Sequence, residues 1–163
     1  MTNVKTQVYL LFDERMALHR PVHQPDNPNY YPVENSNRIF KIYGSLLDLE
    51  KRLLRQSQFI PGIMPHYESR FVEFPCKPVD RETVELVHTP EHYDWLYHTM
   101  FLSEAKLRQL TDPDDLYVCS STFLAALLSC GGAVQCVDAV TSGRRCSAGN
   151  KITRAIALIR PPG

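Results

Sequence analysis

Arg154-Ala155-Ile156-Ala157-Leu158-Ile159, running into Arg160-Pro161-Pro162-Gly163, is the stretch on which the fold turns. A short, nearly continuous apolar run closed by prolines suits a β-strand buried on both faces, as in the middle of a parallel sheet. Catalytic and ligand-binding groups of open α/β sheets lie just beyond the carboxyl ends of the strands. The tetrapeptide is therefore expected where such groups gather. Two prolines fix φ and remove two backbone donors, and Gly163 permits close approach, so a stiff, directed loop is expected. The plainer alternative is a strand merely ended by prolines.

Upstream, Val8-Tyr9-Leu10-Leu11-Phe12, closed by Asp13, predicts a second buried strand, and Phe71-Val72-Glu73-Phe74 a third. After Ser36, the apolar positions Ile39, Ile42, Tyr43, Leu46, Leu47, Leu53 and Leu54 recur at helical spacing until Pro61-Gly62. Asp80 reads as the N-cap of a short helix carrying Val84 and Val87. Thr89-Pro90-Glu91 opens another, with a capping threonine, proline at the first helical position and an acid in the first turn. A third short helix starts at Ser103, and a long one is predicted from about Thr122 to Thr141. The latter holds Gly131-Gly132, a cost of roughly 1 kcal/mol per glycine relative to alanine, which close backbone packing against the sheet would offset. Strands alternating with helices predict an α/β fold with a parallel sheet.

The chain has 163 residues, 44% hydrophobic and 22% charged, which bounds it to one ordinary globular domain. Eighteen basic and eighteen acidic residues cancel, without like-charge runs, which disfavours direct nucleic-acid binding or a membrane-surface role. Cys76, Cys119, Cys130, Cys136 and Cys146 are odd in number and scattered, so neither a disulfide framework nor a structural zinc site is expected. The N-terminus has no long apolar segment, and no stretch is expected to approach the roughly 18 apolar residues of a membrane span. The expected location is nuclear or cytoplasmic.

Few constellations suggest chemistry. His19 and His23 have helical spacing but flank Pro21 in a loop; His88 and His92 straddle the cap at Thr89-Pro90, so their side chains are expected to diverge. Both pairs read as solvated or helix-flanking histidines. Neither Asp-x-His nor adjacent histidines occur, nor a G-x-S-x-G elbow, a P-loop or G-x-G-x-x-G. Three loops should meet at one sheet edge: Asp13 to Arg38, Asp112 to Asp115, and Arg160 to Gly163. Glu14 reads as an exposed turn residue. Arg38, unfavourable for the dipole at the start of an apolar helix, either reaches into a pocket or snorkels at the surface.

The order of motifs goes further. Asp13-Glu14-Arg15-Met16 with His19, Glu34-Asn35-Ser36-Asn37-Arg38-Ile39 with Tyr43, Leu86-Val87-His88-Thr89-Pro90-Glu91-His92-Tyr93, Asp115-Leu116-Tyr117 with Ser121-Thr122-Phe123, and Ile159-Arg160-Pro161-Pro162-Gly163 together resemble the N-terminal half of a class II, fungal-type histone deacetylase domain. The resemblance covers about residues 6 to 163. It implies the N-terminal part of an arginase/deacetylase-like α/β fold, truncated, from a family of zinc-dependent enzymes that hydrolyse acetyl-lysine amides on histones and other proteins. It implies Arg38 at the foot of an acetyl-lysine tunnel, with Arg160 also in the pocket framework. Asp114 and Asp115 would lie on the rim loop that contacts the substrate backbone, and Gly163 would line the tunnel.

In the family, the next residues are two histidines, and the zinc ligands come later. The resemblance therefore implies no catalytic residue and no metal ligand within these 163 residues. Two departures stand out. Pro32-Val33-Glu34 replaces the family's His-Pro-Glu, and residues 146 to 153 resemble an insertion, expected as an exposed loop. Corepressor subunits are the implied partners. The competing expectations are a truncated, non-catalytic binding or dimerising module, and, disfavoured by the loop motifs, a relative acting on acetylated polyamines.

Overall fold

The computed structural model describes residues 7–22, 35–57, 71–111, 116–147 and 149–161. Within them β1 (Gln7–Leu11) is the middle strand of a parallel sheet, with β2 (Phe71–Glu73) on one side and β3 (Ile152–Ala157) on the other. Tyr9, Leu10 and Leu11 are fully buried, as expected for a strand covered on both faces.

Alternation along β1 assigns the layers. Leu11 points toward α5 (Thr122–Thr141), where a Cβ on Gly132 would lie 2.7 Å from its Cδ2. Phe12, on the other parity, stacks on Tyr43 of α1 (Ser36–Ser57), with ring centroids 4.3 Å apart. One helix thus covers each face.

Between β2 and α5 the chain forms α2 (Arg81–Val84), α3 (Pro90–His98) and α4 (Glu104–Gln109). Asp80, Thr89 and Ser103 cap them as expected, each side chain accepting a backbone N–H three residues on. Val87 falls beyond α2 and is exposed. Against the expectation from the cap at Thr89-Pro90, His88 and His92 do not diverge. The turn after α2 brings His88 back against the first turn of α3, and the exposed rings stack with centroids 4.7 Å apart.

Gly131 and Gly132 have different reasons to lack a side chain. Gly132 faces β1, whereas Gly131 faces the segment leaving β2, where a Cβ would lie 2.0 Å from the Lys77 carbonyl oxygen. That segment is clamped to the helix: Val79 N–H donates to the Leu127 carbonyl at 3.0 Å, and Gln135 accepts from Lys77 N–H at 2.7 Å. Close packing against the sheet therefore accounts for one glycine, and a crossing backbone for the other.

Three expectations need correction. The last strand is not buried on both faces over 154–159. It begins at Ile152, Arg154 is exposed, and residues 155–157 are only half-buried. The reason is its place: among the described residues it pairs with β1 alone. Residues 146–153 are not simply an exposed loop either. Arg145 bridges Lys151, Cys146 N–H donates to the Asn150 carbonyl, and Cys146 and Ile152 are buried. A register shift between Gln7 and Val8 lets Ile152 enter the sheet opposite Gln7. Finally, α5 is long and apolar enough to cross a membrane by length and composition; here its apolarity serves packing against β1 and β3.

Beside β3 lies an apolar cavity of about 740 Å³ lined by Leu46, Leu49 and Leu53 of α1 with Phe71, Ala155 and Ile156. A strand edge next to an apolar hollow invites pairing between molecules. The isolated chain should associate with rising concentration in light scattering, and a monodisperse, cooperatively melting monomer at high concentration would refute this. Gly131→Ala should cost about 3 kcal/mol in urea unfolding because backbone must move. Gly132→Ala should stay within about 1 kcal/mol, since a flexible leucine tip can yield and alanine favours the helix.

Candidate functional site

The parallel strands end at a common edge, and the chain after each of them contributes to one cluster. After β1, Asp13 starts a 3-10 turn, Glu14–Leu18, by accepting the Arg15 N–H at 2.9 Å. The Arg15 guanidinium returns to the same carboxylate through Nε (2.9 Å) and a terminal nitrogen (2.6 Å), and also reaches the Cys76 carbonyl at 3.3 Å beyond β2. The hydrogen-bonded guanidinium holds the Asp13 carboxyl below the usual carboxylate range. Glu14 is exposed, as expected.

Arg160, three residues past β3, is only 2% exposed, although arginine is almost never fully buried without partners. Its guanidinium donates to the Met16 carbonyl at 2.9 Å, to the His19 carbonyl, and to the Tyr117 hydroxyl at 2.8 Å. These charge-assisted bonds replace lost hydration and fix the plane of the guanidinium. The arginine thus fastens the end of β3 to the turn after β1 and to the segment leading into α5. From α5, the Ser129 hydroxyl donates to the Pro161 carbonyl at 3.2 Å. The loop entered at Arg160 is held from two directions.

His19 is not a solvated histidine. It is buried, its ring stacks on Tyr117 at 4.5 Å, and Nδ1 lies 3.0 Å from the Thr122 hydroxyl. Thr122 Oγ1 also accepts the Cys119 N–H at 2.8 Å, so it organises the first turn of α5. Arg38 is exposed in the first turn of α1, with its N–H donated to the Asn35 carbonyl at 3.2 Å. Asp114, Asp115 and Gly163 lie outside the described residues, as do His23 and Pro32-Val33-Glu34. Two of the three expected loops are therefore seen to meet, joined by Tyr117 next to the third.

Sequence reasoning missed Thr122, Ser129 and the two backbone carbonyls. A histidine and tyrosine within the motif order were the available signal for His19 and Tyr117; carbonyl acceptors carry none. Zinc, which the family resemblance implies, finds no matching donor set here: among the described residues no group of three or more His, Cys, Asp or Glu side chains could hold a metal ion. What this cluster can do is hold a loop rigidly at the sheet's carboxyl edge.

Arg160→Leu removes at least the three hydrogen bonds described above, each from a charged donor and worth roughly 1.5–3 kcal/mol. It should destabilise the chain by about 3 kcal/mol or more in urea unfolding, while Tyr117→Phe should cost about 1 kcal/mol. Equal, small effects would show that the guanidinium is not the fastener.

Residues 32–163 match the histone deacetylase domain. Histone deacetylase HDA1 of Candida albicans is 29% identical over 156 residues, spanning 94% of this chain and 17% of that protein. Histone deacetylase clr3 of Schizosaccharomyces pombe is 24% identical over 164 residues, all of this chain and 21% of the relative. Human polyamine deacetylase HDAC10 is 33% identical over 97 residues, 59% of this chain and 14% of the relative. The chain thus spans about a fifth or less of the length of these relatives. Among solved structures, the HD domain of HDA15 superposes with a TM-score of 0.68 at 25% identity, over 97% of this chain and 36% of that one. With the parallel sheet, the motif order and a domain match over most of its length, the chain belongs to the histone deacetylase family, alongside the class II-like fungal enzymes.

Proposed function

We propose that this chain supplies the framework half of a zinc-dependent lysine deacetylase site, the part that shapes and stiffens the acetyl-lysine tunnel, and does not hydrolyse amides by itself. The observation that carries this reading is the buried Arg160, fastened to Met16, His19 and Tyr117. It fixes the chain through Pro161 at the sheet edge at which α/β enzymes place their chemistry. In this reading Arg160 and Arg38 belong to the framework, Asp114 and Asp115 to the substrate rim, and Gly163 to the tunnel wall. Acetylated histone tails are the substrate class, the setting is a nuclear corepressor complex, and zinc is held by residues other than these.

A lysine substrate is favoured over a polyamine because the fungal histone deacetylases match nearly the whole chain, whereas the polyamine enzyme matches little more than half. A second reading, a non-catalytic binding or dimerising module, is favoured by the β3 edge, which no strand covers among the described residues, and the apolar cavity beside it.

Two measurements test the assignment, and the second separates the readings. The 163 residues with added zinc should leave an acetyl-lysine peptide intact; clear metal-dependent hydrolysis would overturn the assignment. Joined through Gly163 to the part of the Candida albicans enzyme that follows the aligned position, the chain should yield metal-dependent deacetylation. A folded but inert fusion would support the non-catalytic module.

A further inference from the structure

Cys119 opens the turn into α5 and brings its thiol against the framework's histidine. Its Sγ lies 3.9 Å from His19 Nδ1 and 3.5 Å from the Thr122 hydroxyl, with the Leu18 carbonyl at 3.7 Å. Thr122 Oγ1 accepts the Cys119 N–H, so its own proton is free to turn toward either Nδ1 or Sγ. The residue is 7% exposed, but it forms part of the wall of a cavity of about 440 Å³, with Leu18, Arg20, Glu104, Leu107 and Ser120. An imidazole beside the thiol of a residue that lines a cavity is an arrangement by which proteins activate sulfur.

We propose that Cys119, with His19 as its base, is a covalent attachment site for a soft electrophile of the α,β-unsaturated carbonyl class. The thiol proton passes to His19 Nδ1 as the Thr122 hydroxyl turns to Sγ. A sulfur–carbon bond then forms at the electrophile's β-carbon, the C=C π pair moves to the α-carbon, and that carbon takes a proton back from the imidazolium. The addition has no leaving group and no net redox change. The adduct occupies the cavity.

Two of the other buried thiols supply the contrast. The Cys76 Sγ donates to the Leu128 carbonyl at 3.2 Å, and burial pushes the thiol up to about 11. Burial also raises Cys136. Neither should be readily ionised. Cys130 is exposed and would react from exposure alone, so it is replaced in the test.

The Cys130→Ser chain, kept dilute, is treated with N-ethylmaleimide at neutral pH and its sites are followed by peptide mapping. Cys119 should react at least tenfold faster than Cys76 and Cys136. His19→Asn, which keeps a polar atom near Thr122 but offers no base, should slow Cys119 at least fivefold with Cys76 and Cys136 still protected. Those two thiols report whether the variant folds; where they become labelled, the parent chain's rate ratio alone decides. Labelling of Cys119 no faster than Cys76 and Cys136, or an undiminished preference in folded His19→Asn, overturns the proposal.

Discussion

A buried guanidinium is the constraint on which this edge of the molecule depends. Taking Arg160 out of water requires fixed acceptors in its place. The chain provides them from two elements far apart in sequence: carbonyls of the 3-10 turn after β1 and the phenol that precedes α5. Each must hold its position for the cation to remain satisfied. The 3-10 turn holds its own by internal means, through Asp13 as cap and the Arg15 pair. The arginine therefore converts three separate chain segments into one rigid edge.

The glycine pair of α5 answers a packing constraint at the other end of the same argument. A helix covering a parallel sheet and also clamping a crossing backbone needs close approach on two sides. Leu11 occupies one side and Lys77 the other. The Val79–Leu127 and Gln135–Lys77 hydrogen bonds then use that proximity to pair backbone groups of the crossing segment. Because Ser129 sits within this crossing, between Leu127 and Gly131, and holds the Pro161 carbonyl, the packing of the helix and the position of Pro161 are set by the same few residues.

Local signals in the sequence were reliable where the physics is local. Asp80, Thr89 and Ser103 cap their helices because a short side-chain oxygen satisfies a nearby orphan N–H, whatever surrounds it. The bounds of α5 and the two early strands follow from periodicity and propensity in the same way. What could not be read depends on partners distant in sequence. The stacking of His88 on His92 requires the path of the turn after α2. The entry of Ile152 into the sheet requires a register shift opposite Gln7. The partners of Arg160 include main-chain carbonyls, which every residue carries, so no residue pattern points to them. The motif order supplied the family and the importance of Arg160-Pro161, while its physical basis needed three dimensions.

His19 is the residue on which the two halves of this edge converge. Its carbonyl serves Arg160, its ring stacks on the Tyr117 that Arg160 also holds, and its Nδ1 faces Thr122 and Cys119. A change at the thiol that moves the imidazole therefore cannot be confined to the cavity. Displacing the ring disturbs the stack on Tyr117, and moving the backbone alters an acceptor of a buried cation, where small shifts are costly because lost hydrogen bonds are not replaced by water. Coupling between cavity and loop follows from shared atoms, with no need for a larger conformational change. The same sharing explains why a buried histidine is placed here: it holds Arg160 through its main chain while its ring packs on Tyr117 and faces Thr122.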